Sequence, residues 1–105
     1  MTNALHHEPA KADRDRQNPF PITVRTLAGH NWHENVEPQT TIYELTREAV
    51  QHFVAKGELA DGDYALTLPR SGNEAALDPT LTVRDVGIVK HDVLVLVSRA
   101  PQVDG

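Results

Sequence analysis

The sequence lacks cysteine entirely and has only three lysines among its 105 residues. Without cysteine the chain can form no disulfide, no thiolate nucleophile and no cysteine-based metal site. Its formal net charge of −5, counted with neutral histidine, argues against nucleic acid as a partner, because neutralising phosphates requires clustered lysine and arginine. These absences favour a small, acidic domain with other kinds of partner.

Long hydrophobic runs are also missing. No segment approaches the roughly 20 apolar residues of a membrane span, and the start has no apolar run of the kind a secretory signal needs. We therefore expect a cytoplasmic protein with no membrane partner. Residues 1–18 hold one leucine and one methionine among polar and charged neighbours. So little apolar surface cannot offset the entropy of ordering, which predicts a disordered N-terminal arm.

Residues of the kinds that commonly act in catalysis or bind metals are few and scattered along the sequence. His30 and His33 lie three positions apart, and His6 and His7 are adjacent. A histidine pair without a third ligand in fixed geometry is a weak metal signal, so we expect neither a metal nor a cofactor. The sequence shows no nucleophilic residue paired with a general base and no glycine-rich loop suited to binding phosphate. The sequence favours a substrate or ligand of enzymes over an enzyme.

Alternating apolar residues predict two strands at the start of the folded part. The first predicted strand covers residues 20–26, and Gly29 suits the turn that follows it. A weaker alternation over residues 32–36 predicts the second strand. The apolar face of the first consists of Phe20, Ile22, Val24 and Thr26.

A helix is predicted over residues 41–56, where apolar residues recur at intervals of three and four. Thr40 or Thr41 is a suitable N-cap, with Glu44 a few residues on. Lys56 and Gly57 are typical of a helix end.

Further strands are predicted over residues 64–68 and, as a central strand, over residues 91–97. Between them the pattern favours a loop at 69–73, a short strand at 75–77 and a helical turn at 82–86. The order indicates an α+β domain. The residues expected to form its core are Ile22, Val24, Ile42, Leu45, Ala49, Leu66, Ile88, Leu94 and Leu96.

Two blocks of the sequence resemble ubiquitin. The first runs from Ile22 to Ile42 without a gap and contains Val36-Glu37-Pro38; the second runs from Leu77 to Arg99 and contains Leu94, Leu96 and Val97. The resemblance covers roughly residues 20–99. It implies a ubiquitin-like β-grasp fold, a twisted mixed sheet with one helix packed across it. The expected organisation is an arm at 1–18, a ubiquitin-like domain at 19–99 and a flexible tail at 100–105.

The same resemblance implies two functional regions. Ubiquitin binds partners through an apolar patch on its sheet, and the matching positions here are Leu27, Thr67 and Val97. Thr67 stands where ubiquitin has an aliphatic residue, and Val95 on the face of Val97 could restore apolar area. An exposed apolar cluster commonly marks a partner site, although single exposed apolar residues are ordinary. The expected surface comprises Leu27, Thr67, Val95, Val97 and Arg99.

The tail is the second region. Ubiquitin is joined to targets through its C-terminal glycine, and this sequence ends with Ala100, Pro101, Gln102, Val103, Asp104 and Gly105. The resemblance implies activation at Gly105, although Asp104 replaces the penultimate glycine of ubiquitin. Lys90 matches a chain-linking lysine of ubiquitin, whereas arginine, histidine, threonine or glutamate occupies other such positions. Single modification should therefore dominate over chains.

Three hypotheses about function follow. In the first, the protein is a modifier of the bacterial ubiquitin-like class, served by activating, conjugating and deconjugating enzymes in antiviral defence and attached to target proteins. In the second, it is a non-conjugated accessory that acts through its sheet surface, like the small ubiquitin-like proteins of type VII secretion. The third and least favoured is a sulfur carrier, since such carriers normally end in two glycines.

Overall fold

The computed structural model describes residues 18–72 and 75–99. Within them one α-helix packs across a four-stranded sheet, with a short 3-10 helix, Pro69–Ser71, before the last strand. The elements are β1 (Phe20–Thr26), β2 (Asn31–Val36), α1 (Ile42–Ala55), β3 (Tyr64–Thr67) and β4 (Val93–Ser98). The strand order is β2-β1-β4-β3. Because β1 and β4 run parallel while the other pairs are antiparallel, the sheet is mixed. The predicted α+β class is confirmed.

The β1–β2 hairpin closes at the predicted turn. Gly29 has a φ of +96°, a conformation that a residue with a Cβ adopts only with strain. The Thr26 N–H donates to the His30 carbonyl at 2.9 Å, and the His30 N–H donates to the Thr26 hydroxyl at 3.1 Å. These bonds set the register of the first two strands.

The helix begins and ends where its capping residues predict. The Thr41 hydroxyl accepts from the Glu44 N–H at 3.1 Å, and the Glu44 carboxylate accepts from the Thr41 N–H at 3.3 Å, which completes a capping box. At the other end, Gly57 has a φ of +73°. The Gly57 N–H donates to the Val54 carbonyl and the Glu58 N–H to the Phe53 carbonyl, the two bonds of a Schellman motif.

Replacing Thr41 with alanine is expected to lower the free energy of unfolding by about 1 kcal/mol, because the Glu44 N–H loses its acceptor. Urea denaturation followed by circular dichroism measures the change. Thr40→Ala is the matched control, since the capping bonds within residues 18–72 and 75–99 use the hydroxyl of Thr41 and not that of Thr40. Equal losses in both variants would show that the capping bond contributes nothing.

The core lies between α1 and one face of the sheet. All nine residues expected there are buried, with exposed fractions of 4% or less. The buried cluster is completed by four further residues: Val36, Phe53, Leu68 and Val83. Phe53 lies at 0% exposure in the last turn of α1, where it fills the space above the sheet.

Two predicted strand assignments were wrong. The last strand begins at Val93 instead of His91, because His91 has a φ of +69° and its N–H donates to the Pro21 carbonyl in a turn. Residues 75–77 form no strand, although the Leu77 N–H donates to the Leu66 carbonyl at 2.8 Å.

The predicted helical turn at 82–86 is observed as a hydrogen-bonded turn over residues 83–87. The Thr82 hydroxyl and the Asp85 carboxylate cap it reciprocally, each accepting from the other residue's N–H at 3.1 Å. The predicted arm and tail lie outside the described residues, apart from Asn18. Among the residues that the structure describes, no helix has the length and apolar character needed to cross a membrane.

Candidate partner-binding surface

The face of the sheet turned away from α1, here called the outer face, carries most residues of the expected surface. Side chains alternate between the two faces along each strand. Since Leu94 and Leu96 enter the core, Val95 and Val97 belong to the outer face. Ala65 pairs with Val97, and Thr67 with Val95, in the β3–β4 ladder. The structure thus brings Thr67, Val95 and Val97 together.

These residues form a small apolar patch, here called the β3–β4 patch: Ala65, Thr67, Val95 and Val97. Val95 and Val97 are half-buried by their neighbours. Thr67 is only 7% exposed, and its hydroxyl donates to the Val95 carbonyl at 3.4 Å. The threonine therefore contributes little accessible surface, and the two valines supply most of the apolar area that a partner can reach.

Leu27 and Arg99 lie at the margins of this patch. Leu27 follows Thr26, which pairs with Leu96 in the parallel β1–β4 register, so the next position stands beside Val97. Its side chain is 77% exposed, unusually high for leucine. The exposed Arg99 donates its N–H to the Asp63 carbonyl at 2.8 Å, which extends the pairing of β3 and β4 by one residue beyond Ser98.

The other half of the outer face is polar. The Arg25 Nε donates to the Asn31 side-chain oxygen at 2.9 Å, and Thr23 Oγ1 lies 2.9 Å from His33 Nδ1. Both contacts join β1 to the edge strand β2. Because the β1 and β2 positions of the outer face are occupied by these polar pairs, its apolar side chains are concentrated on β3 and β4.

An ion pair stabilises the loops at one end of the patch. Arg70 donates to both carboxylate oxygens of Asp92, at 2.7 Å from Nε and 2.9 Å from Nη2, and Nη2 also donates to the Gly87 carbonyl. The Val89 N–H donates to the same carboxylate at 2.8 Å. Asp92, at 6% exposure, thereby joins the 3-10 helix to the turn before β4.

The environment of Asp92 shifts its protonation equilibrium. Burial alone raises the pKa of the Asp92 carboxyl, but the hydrogen bonds from Arg70 and the Val89 N–H, with the charge of the guanidinium, outweigh burial. The pKa is therefore held below its usual value. The hydrogen bonds to Asp92 and the charge of its carboxylate raise the pKa of Arg70, so both members of the pair are ionised near neutral pH.

A groove of about 400 Å³ opens between α1 and β3, on the side of the sheet opposite to β2. This α1–β3 groove is lined by apolar Val50, Leu66 and Leu77 and by polar Arg47 and Arg99, among others. Arg99 therefore borders both the groove and the β3–β4 patch.

The remaining site predictions are placed as follows. Lys90 is exposed in the turn before β4. His30 lies 3.7 Å from the Glu58 carboxylate, whereas His33 contacts Thr23, so the two histidines do not converge. No group of three or more potential metal ligands occurs among residues 18–72 and 75–99. Residues 100–105, including Gly105, lie outside the described residues.

Sequence reasoning missed the Arg70–Asp92 pair and the α1–β3 groove. The two ion-pair partners are 22 positions apart, and neither belongs to a periodic pattern or a recognisable motif. The groove depends on how the helix and the 77–79 loop pack against β3. The one available signal was the arginine in the loop predicted at residues 69–73, and an arginine in a loop is too common to indicate an ion-pair partner.

Comparison with known protein families finds no match, and no curated protein matches the chain. Among solved structures 344 chains match. One is a de novo designed protein based on ubiquitin: it has a TM-score of 0.61 and 22% sequence identity, and the match covers 83% of this chain and 96% of the designed one. At this identity the similarity shows the fold alone, and one fold serves many functions. The chain has a ubiquitin-like β-grasp fold.

Proposed function

We propose that this protein is a ubiquitin-like modifier that binds its enzymes through the outer face and is joined to target proteins through the segment after β4. The observation that carries the proposal is the position of the β3–β4 patch. Val95 and Val97 lie on β4, the strand that leads directly into residues 100–105. An enzyme that contacts these valines is therefore close to the segment on which it acts.

The patch has the character of a modest protein-binding surface. Its two valines, with the exposed Leu27, provide apolar area, while the exposed Arg99 borders it and the polar pairs of β1 and β2 flank it. An apolar centre with a polar rim is typical of a non-obligate interface. Because Thr67 is nearly inaccessible, the protein should select receptors other than those that require a central aliphatic side chain.

The proposed chemistry uses the carboxyl group of Gly105. In an activating enzyme this carboxylate attacks the α-phosphorus of ATP, pyrophosphate leaves, and an enzyme thiol then displaces AMP to form a thioester. Glycine permits close approach to the reacting atoms because it has no side chain. Asp104 places a negative charge beside the forming adenylate, so the enzyme should offer arginine or lysine to offset it.

The same proposal includes the enzymes that act on the protein and the cellular process in which they act. Activating, conjugating and deconjugating enzymes act on the protein in the bacterial cytoplasm during antiviral defence, and the protein itself is neither an enzyme nor the holder of a cofactor. Lys90, exposed before β4, is proposed as the chain-linking lysine, because it matches one such position of ubiquitin. Since arginine and histidine do not replace lysine in an isopeptide bond, single modification of targets is expected to dominate.

Deleting Gly105 is expected to abolish adenylate and thioester formation while leaving the fold intact, since the described core ends before Arg99. The protein, with its Gly105 carboxyl free, is incubated with ATP and the activating enzyme encoded nearby, if there is one, and the products are identified by intact mass. Gln102→Ala, which keeps the glycine, is the matched control. Efficient activation of the deletion variant would contradict the proposed role of Gly105.

The accessory hypothesis is the second candidate, because the β3–β4 patch presents apolar area that a partner could contact without any use of the tail. Val97→Asp should weaken such binding by about tenfold or more, since a charge enters the centre of the interface. Asn35→Asp places the same charge on the polar half and serves as control. Loss of binding with Val97→Asp, together with no adenylate in the intact protein, would favour the accessory over the modifier.

A further inference from the structure

A short stretch of the β3 edge is unpaired inside the α1–β3 groove. The bond from the Arg99 N–H to the Asp63 carbonyl directs the backbone groups of Asp63 toward β4. Because these directions alternate along an antiparallel strand, the N–H and C=O of Tyr64 point away from β4. Among residues 18–72 and 75–99 they have no hydrogen-bond partner. A free edge of this kind accepts an extended segment of another chain.

The same edge is closed two residues farther along β3. The Leu77 N–H donates to the Leu66 carbonyl at 2.8 Å, so Leu77 occupies the place beside Leu66 where an added strand would run. Neighbouring strands lie only about 4.8 Å apart, which leaves no room for a second chain between these two residues. An added segment that pairs with Tyr64 therefore has its terminus, or turns away, at this closed end of the groove.

The closed end carries an unpaired positive charge. The Tyr43 N–H donates to the Pro79 carbonyl at 3.0 Å, which places this part of α1 beside the loop that contains Leu77. Arg47 lies one turn farther along the same face of α1 and lines the groove. Its exposed guanidinium has no ion pair within the part of the chain that the structure describes. A carboxylate at the closed end would therefore be stabilised.

The opposite, open end of the groove has the other sign of charge. It is lined by Asp61, Asp63 and Arg99, so two carboxylates stand against one guanidinium. All three side chains are exposed, at the point where the loop after α1 enters β3. A chain that passes over this end is favoured if it carries a basic side chain.

The charges select one direction for an added segment. Since β3 runs from the open end to the closed end, a segment parallel to it places its carboxyl terminus beside Arg47. An antiparallel segment would place an ammonium there, which Arg47 repels. Side chains alternate between the faces of a strand, so the last side chain can face α1 and contact Val50 and Leu77. The terminal carboxylate continues the backbone and competes for neither face.

We propose that the α1–β3 groove binds the C-terminus of a partner protein that ends in an aliphatic residue, with its free carboxylate paired with Arg47. A basic residue shortly before this terminus lies at the open end of the groove. This interaction uses neither the outer face nor the segment after β4. Its failure would therefore leave both the modifier and the accessory hypotheses standing.

The test uses three synthetic pentapeptides, Ser-Lys-Lys-Ser-X, in which X is valine, leucine or isoleucine with a free carboxylate. Titration into the full chain should shift the Val50 and Leu77 methyl resonances and slow amide hydrogen exchange at Tyr64. Amidation of the peptide terminus should weaken binding by about tenfold or more, because a charge-assisted hydrogen bond is lost. Serine at X should weaken it by about tenfold as well, because a buried aliphatic group is lost. Equal affinity of acid and amide, or no binding of any of the three at millimolar concentration, would overturn the proposal.

A charge variant tests the role of Arg47. Arg47→Gln should weaken binding of the free-acid peptides by about tenfold or more and leave the affinity of the amides unchanged. Lys56→Gln is the matched control, since it removes the same charge from an exposed position that does not line the groove. Equal effects of the two variants would contradict the pairing with Arg47.

The NMR spectra also distinguish other occupants. Groove resonances that shift with protein concentration, before any peptide is added, would assign the groove to a second copy of the chain. Peptide-induced shifts confined to Val95 and Val97 would place the peptide on the β3–β4 patch. Either result would overturn the proposal.

Discussion

Leu94→Ala is expected to lower the free energy of unfolding by about 2–5 kcal/mol, the range for removing a large buried aliphatic side chain. Leu94 lies on β4 at 0% exposure, between β1 and β3 in the sheet order. Its neighbours belong to both flanking strands and to the helix, so the structure cannot collapse around the missing atoms without disturbing the whole sheet. Urea denaturation monitored by Trp32 fluorescence and circular dichroism measures the loss.

Leu27→Ala is the matched control for this prediction. The same atoms are removed from a side chain that is 77% exposed, so the stability should change by less than about 0.5 kcal/mol. A neutral result at Leu94 would mean that the register of β4 is displaced by one residue, because such a shift exchanges the two faces of a strand. Val95→Ala would then become the destabilising substitution.

Much of the fold could be predicted because the sequence encodes it locally. The alternation in β1, the capping box at Thr41 and the glycine after α1 each act over a few residues. The wrong assignments occurred where distant contacts decide the conformation. His91 adopts a left-handed conformation because its N–H donates to the Pro21 carbonyl. Pro21 is distant in sequence, so no local pattern around His91 predicts this contact.

The sequence allowed us to predict which residues of the candidate surface lie on one face of the sheet. It did not allow us to predict how much of each side chain is exposed. Strand alternation placed Val95 and Val97 together, and the register confirms that they share a face with Thr67. Sequence alone could not show that Thr67 is almost covered, since its burial arises from packing between neighbouring strand residues. The α1–β3 groove could not be predicted from the sequence either. Its shape depends on the loop that contacts Leu66 from the far side of β3.

Asp92→Ala is expected to lower the free energy of unfolding by about 1.5–3 kcal/mol near neutral pH, the range for hydrogen bonds to a charged group. The substitution leaves the Val89 N–H without its acceptor and releases Arg70 from the turn. Because the Arg70 side chain is 52% exposed, water can solvate the freed guanidinium, which limits the loss. Asp63→Ala removes an exposed aspartate and is the matched control, with a change below about 0.5 kcal/mol.

The contribution of Asp92 should depend on pH in a direction fixed by its environment. The pKa of Asp92 in the folded protein lies below the usual value, whereas an aspartate in the unfolded chain has a pKa of about 3.9. The stabilisation is therefore fully present above the unfolded pKa and is lost as the pH falls through the folded pKa. The difference in stability between the unmodified protein and Asp92→Ala should stay constant from about pH 7 to about pH 5 and narrow below about pH 4. Denaturation curves for both proteins across this range measure it, and a difference that persists unchanged in strong acid would show that the Arg70–Asp92 charges do not stabilise the fold.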